Sequence, residues 1–87
     1  MEKQTRTIYV VTEAYIDHMG LLNNGNLEVF NTLLEAQEYL SKQYHENEQY
    51  LSEEMDSELD LDVGYAVMYF NDNSESSYEI DEREIIL

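Results

Sequence analysis

Forty consecutive positions, Gln43 to Glu82, contain no lysine or arginine, and thirteen carboxylates stand among them. Lys42 and Arg83 bracket the interval. Any fold of this chain must keep those acids in water, because an ionised carboxylate buried without a partner costs far more than a neutral polar group. Like charges crowded together also oppose compaction. Within the interval the sequence offers a way out. From Glu58 onward, Leu59, Leu61, Val63, Tyr65, Val67 and Tyr69 alternate with Glu58, Asp60, Asp62, Gly64, Ala66 and Met68. Period two is the signature of a strand, which sends successive side chains to opposite faces of a sheet.

The imbalance extends over the whole chain, where four Lys and Arg face twenty Asp and Glu for a formal net charge of -16 and a pI near 4.1. High net charge means disorder when apolar content is low. Here 43% of residues are hydrophobic, and eight tyrosines and two phenylalanines supply large apolar faces, so the composition predicts a folded domain with a negative surface. Eighty-seven residues make a single domain, 1–87, with a thin core. A thin core leaves a homodimer open as a route to stability. The absence of cysteine excludes a disulfide framework and any Cys-based metal or redox site. Met1 to Arg6 has no apolar leader-like run, and no stretch approaches the roughly 18 apolar residues of a membrane span, so a cytoplasmic chain is expected. Strong negative charge opposes contact with anionic lipid and with nucleic-acid phosphates, which bind through Lys and Arg. The partner this charge suits is a basic protein surface, with neither membrane nor direct nucleic-acid contact.

Residues 6 to 16 are rich in β-branched and aromatic types and place Ile8, Val10, Ala14 and Ile16 on one face of a strand. Asp17 to Asn26 holds Gly20 and the cluster Asn23-Asn24-Gly25-Asn26, in which the Asn-Gly pair suits positive φ. A turn is expected there, then a short strand at 27–30. Thr32-Leu33-Leu34-Glu35 matches a capping box. Leu33, Ala36, Leu40, Tyr44 and Leu51 follow at near-helical spacing, predicting a helix over about 33–51. The alternating stretch gives the next strand, its half from Gly64 to Phe70 apolar on both faces and so central. Asn71-Asp72-Asn73-Ser74 is turn chemistry, Ser77 to Ile80 reads as a last strand, and the tail from Glu82 fits no single element. The predicted class is α+β: a small antiparallel sheet of about four strands, β-β-α-β-β in sequence order, with one helix packed on one face.

If residues 56 to 62 are extended, Asp56, Glu58, Asp60 and Asp62 project from one face every ~6.4–6.8 Å, twice the rise per strand residue. Duplex DNA also carries regular rows of charge along its backbone. Glu53 and Glu54 precede the row, and Tyr44 and Tyr50 lie near it as candidate interface anchors, since tyrosine combines apolar area with a polar end. These eight residues form the candidate partner-binding set. A solvated face that only confers solubility and general adaptation to high salt explain the same acids without a partner.

No other chemistry finds its residues. Asn71, Asn73, Glu75 and Glu82 have EF-hand offsets, but Ser76 stands where the calcium loop requires glycine and Asn71 replaces the leading Asp. The alternating acids fail likewise, with Leu61 at the glycine position and Val67 at the bidentate glutamate. His18 and His45 are the sole imidazoles and have no Cys, Ser or His partner at motif spacing. The expectation is therefore no catalytic residue, no metal site and no cofactor.

On its size, its charge, the basic-free run from Gln43 to Glu82 and its plain α+β order, the chain resembles the small acidic proteins that phages and mobile elements encode against host defence, including anti-CRISPR proteins and DNA mimics. The resemblance implies a non-enzymatic inhibitor that occupies the basic nucleic-acid-binding site of another protein, for example a CRISPR effector nuclease that reads duplex DNA with arginines. The alternative is a small acidic structural or regulatory module whose charge serves solubility only.

Overall fold

Hydrogen bonds from backbone amides dictate where the strands of this chain turn, and in two places they override the residue pattern. The computed structural model describes residues 4–87. Strand β1 (Thr5–Ile16) runs the length expected from its β-branched and aromatic content. The chain then reverses earlier than the Asn-Gly cluster suggests. The Asp17 carboxylate accepts hydrogen bonds from the Met19 and Leu21 amides at 2.9 and 3.0 Å, and Gly20 takes φ 82°. Strand β2 (Leu22–Phe30) therefore contains the cluster, and it pairs antiparallel with β1 from Ile16↔Leu22 to Tyr9↔Phe30. The register slips between Thr12 and Ala14, and Gly25 lies against the intervening residue, where a Cβ would sit 2.2 Å from the Glu13 carbonyl oxygen. Glycine is needed here for close backbone approach at a bulge instead of for positive φ.

Helix α1 (Leu33–Asn47) begins where the capping residues place it: the Thr32 hydroxyl oxygen accepts from the Glu35 amide at 3.1 Å. It ends earlier than its apolar spacing predicts. Asn47 gives way to a single 3₁₀ turn, Glu48–Tyr50, and an irregular segment follows. That segment is tied down by Ser52 N–H donating to the Tyr69 carbonyl and Asn71 N–H donating to the Tyr50 carbonyl, at 2.8 and 2.9 Å.

The long alternating stretch is a hairpin and not one strand. Strand β3 (Glu58–Asp60) pairs with β4 (Tyr65–Tyr69). Between them the Gly64 amide donates to the Asp60 carbonyl at 2.9 Å, the Asp60 carboxylate accepts from the Val63 amide at 3.1 Å, and Gly64 takes φ 90°. The turn at Asn71 to Ser74 is as expected, with Asn73 at φ 70°. Strand β5 (Glu75–Ile86) absorbs the ambiguous tail and pairs with β1 over all twelve residues, Thr5↔Ile86 to Ile16↔Glu75.

The class is α+β with one helix on an antiparallel sheet, as predicted, but the sheet has five strands in the order β2-β1-β5-β4-β3. The central strand is β5, which joins β1 to β4, so β4 lies one place from the edge. Beyond Tyr9↔Phe30 and Tyr65↔Glu79, β1 and β5 continue as a two-stranded ribbon, which accounts for a long molecule of 56 × 24 × 17 Å. The helix covers one face. Val11, Ala66, Met68 and Tyr78 of that face and Ala36 and Leu40 of the helix form the buried core, ringed by Tyr9, Phe30, Tyr39, Tyr44 and Ile80 among others. Among the described residues no helix is long and apolar enough to cross a membrane.

Candidate acidic interface

The six candidate carboxylates gather along one sheet edge and the loops at its two ends. Glu53, Glu54 and Asp56 are exposed on the irregular segment after the 3₁₀ turn, Glu58 and Asp60 lie on edge strand β3, and Asp62 is exposed in the β3–β4 turn. The evenly spaced row does not form. Strand pairing covers only 58–60 and residues 61–64 turn, so Glu58 and Asp60 keep the two-residue repeat, Asp62 leaves the line, and Asp56 lies on the irregular segment before the strand. Two contacts enforce this. The Ser57 hydroxyl oxygen accepts from the Tyr69 amide at 2.9 Å and fixes the entry to β3, and Asp60 closes the turn at its exit. Asp60 is half-buried and structurally engaged. Glu58 hydrogen-bonds the Tyr65 phenol, and that bond, with desolvation and the charges of Glu58 and Asp60, holds the phenol above its ordinary value.

The two tyrosines differ in standing. Tyr44 is half-buried against the core and meets the His45 ring edge-on at 5.8 Å, whereas Tyr50 is exposed beside Asn47, Phe70 and Asn71. Glu53 and Glu54 share a polar concavity with Glu48, Asn71 and Asn73. Counter-charge is scarce everywhere. The ion pairs among the described residues are Lys42–Glu46 at 3.8 Å and Arg83–Asp81 at 2.6 Å, the His45 ring hydrogen-bonds Glu48 at 2.5 Å, and none of these engages a carboxylate from Glu53 to Asp62.

Carboxylates elsewhere serve the fold. Asp17 is held below the usual range first by the backbone hydrogen bond from Leu21, with further help from Met19 and Asn23. Asp72 is lowered by hydrogen bonds from the Ser74 hydroxyl and amide. Glu13 was not singled out by the sequence because it sits in an otherwise ordinary strand, yet its register places it on the helix face beside Tyr78. Burial first, and then the hydrogen bond to Glu13, push the Tyr78 phenol far above its ordinary value. Glu13 also accepts from the Asn26 amide at 3.3 Å across the bulge. This is a satisfied polar contact. Among the described residues, no three or more His, Asp and Glu side chains converge as a metal site would require.

A second surface is visible only in three dimensions. Residues opposite one another across antiparallel strands share a face, so the register puts Ile8, Val10, Thr12, Ala14 and Ile16 of β1 on the side away from the helix, with Leu22, Leu27 and Val29 of β2 beside them. The sequence showed that the β1 residues share a face. It did not show that Val11 and Tyr9, on the other face, claim the core.

No protein-family model, no curated protein and no solved structure matches this chain.

Proposed function

We propose that this chain is a non-enzymatic binding inhibitor, acting in the cytoplasm, that presents an acidic, nucleic-acid-like surface to the basic nucleic-acid-binding site of a partner protein such as a CRISPR effector nuclease. The observation that carries this reading is the β3 edge: six carboxylates from Glu53 to Asp62, none ion-paired among the described residues, five of them exposed and clustered around a three-residue strand. Each exposed carboxylate is available to a Lys or Arg that would otherwise hold phosphate, and the charge-assisted hydrogen bonds so formed are the strong kind. The broken row suits a groove lined by scattered Lys and Arg better than it copies the regular spacing of one phosphate backbone. Tyr50 supplies an exposed aromatic near that edge, while Tyr44 contributes through the core.

Competition measures this directly. A DNA-cleaving effector loaded with guide RNA is incubated with the protein and labelled target duplex, and displacement is followed as salt rises. Displacement should weaken steeply with ionic strength, because steering by such fields raises association rates by about 10- to 1,000-fold at low salt. The variant Asp56→Asn/Glu58→Gln/Asp60→Asn/Asp62→Asn should stay folded and compete at least about tenfold less well. Parental competition by a folded quadruple variant would leave solubility as the role of these charges.

A further inference from the structure

We propose that the open face of the sheet, opposite helix α1, is a docking surface for an amphipathic helix of a basic partner protein, with an apolar ridge along the helix and Lys or Arg beside it. In one respect this rests on the function proposed above, namely that the partner is basic. The residues that carry it are otherwise different ones, Glu58 and Asp60 being shared.

A half-covered antiparallel sheet ordinarily turns apolar residues inward and polar residues out. Strand β1 departs from that rule. Its helix-facing residues include the buried Val11, yet Ile8, Val10, Ala14 and Ile16 on its other side are apolar too. Neighbouring β2 adds Leu22, Leu27 and Val29, which are 71%, 62% and 52% exposed. Scattered exposed apolar residues are commonplace, but a contiguous patch rimmed by polar groups marks an interaction site.

The relief of this face suits a helix. Thr12 and Ala14 on β1 and Ser77 on β5 are small, and they lie between the leucines of β2 and Tyr65, Val67 and Tyr69 of β4. A trough of about 470 Å³ follows these small residues and also touches Val63 and Glu79. From β2 to β4 is three strand spacings, about 14 Å, and a helix with its side chains is about 10–12 Å across. The part of β1 that lies between β2 and β4, Thr12 to Ile16, is four strand steps, about 13 Å, which about nine helical residues would match.

Charge selects the occupant. The register places Glu58, Asp60, Glu75, Glu79 and Asp81 on this same face. The described basic residues there are Arg6 and Arg83, both on the ribbon at one end, and Arg83 is already paired with Asp81. A second copy would bring carboxylates against carboxylates and a net charge of -16 against -16, and like-charge juxtaposition costs several kcal/mol. Nucleic acid and anionic lipid are repelled for the same reason. A helix with an apolar stripe flanked by Lys and Arg satisfies both the trough and its rim.

The test uses the full chain and three probes: a Leu/Lys peptide of about 18 residues patterned as an amphipathic helix, a scrambled peptide of the same composition, and oligolysine of the same charge. Titrations at physiological salt should give the patterned peptide an affinity at least about tenfold above the scrambled one, a difference well resolved by calorimetry. Amide shifts on binding should centre on Val10, Ala14, Leu27 and Val67. Leu27→Ser/Val29→Thr should lose at least tenfold for the patterned peptide and leave oligolysine binding unchanged. Ala14→Trp removes no apolar group and fills the trough, so it should give the same loss if the double variant is misfolded. Equal binding of patterned and scrambled peptides, or undiminished binding by folded Ala14→Trp, overturns the proposal, as does a dimer at micromolar concentration that Ala14→Trp dissolves. If only oligolysine binds, the docking helix is wrong and the basic partner stands. If the patterned peptide binds this face but the quadruple acid variant competes with DNA as well as the parent, the acidic edge is wrong and the docking face stands. Absence of all binding overturns both.

Discussion

Leu40→Ala should come close to unfolding the protein. Leu40 lies on the inner side of α1 with 0% of its surface exposed, in a core that among the described residues holds five other buried apolar side chains. The substitution removes three buried carbons, a transfer loss of about 2.4 kcal/mol at about 0.8 kcal/mol each. A cavity term adds to it, because the sheet residues Val11 and Met68 beneath cannot fully collapse, and the total should fall between about 3 and 5 kcal/mol. A domain of this length holds only about 4–13 kcal/mol in all. The melting temperature should drop by at least about 12 °C, at about 4 °C or more per kcal/mol for a small domain. Leu34 belongs to the same helix but is 63% exposed, so Leu34→Ala should stay within about 0.5 kcal/mol. Urea and thermal melts of both variants provide the comparison. A loss under about 1 kcal/mol for Leu40→Ala, or equal losses for the two, would refute the view that one helix on one sheet face holds this fold.

Two further outcomes follow from the turns and from the buried phenol. Gly25→Ala should cost about 1–3 kcal/mol, since its Cβ would meet the Glu13 carbonyl at 2.2 Å, and Gly25→Asn should be no better. Gly20 has open space but φ 82°, so Gly20→Asn should be nearly neutral because asparagine tolerates the left-handed region; equal losses at the two glycines in denaturant melts would contradict this. Tyr78 is held above its ordinary pKa of 10.0 by burial and by Glu13, so the folded protein retains that proton where the unfolded chain releases it. Its contribution is full below pH 10 and falls as pH rises past it. Tyr78→Phe should therefore move alkaline unfolding, followed by circular dichroism, to higher pH, and an unchanged midpoint would show that Tyr78 is not the group responsible.

The fold class was legible because the dominant signals were local. The β-branched run of β1, the Thr32 cap and the helical spacing of Ala36, Leu40 and Tyr44 each specify an element without help from distant residues. What escaped was set by tertiary contact. The Asn-Gly pair carries turn chemistry, yet Asp17 closes the reversal first by capping two amides, and Gly25 is then needed for its lack of a Cβ. The alternation through Leu61 and Val63 continues across a real turn, because Asp60 and Gly64 can form one without breaking the pattern of residue types. The tail Glu82 to Ile86 is a strand because β1 lies beside it, and nothing within those residues announces that. The candidate acids were legible as a cluster, since composition alone assembles them; their spacing was not, because it depended on the hydroxyl of Ser57 and the backbone of Tyr69.

Charge and the open face also explain each other. A sheet with Leu22, Leu27 and Val29 exposed beside the free edge of β2 is the arrangement that invites edge or face pairing between copies, and natural proteins blunt it with charge, bulges or cover. Two of these devices are present here. The slip at Thr12 and Ala14 twists the β1–β2 pair, and the carboxylates of this face oppose its pairing with an identical one. Repulsion of this kind discriminates by sign and not by shape, so it costs nothing toward a basic surface and favours its encounter. Solubility alone would be served as well by acids placed far from the apolar patch. Glu75, Glu79 and Asp81 instead lie on the central strand of the same face, with Val10, Thr12 and Ile16 directly across from them. On the function proposed above, a carboxylate there both opposes an identical face and offers a partner to the Lys or Arg of a basic one.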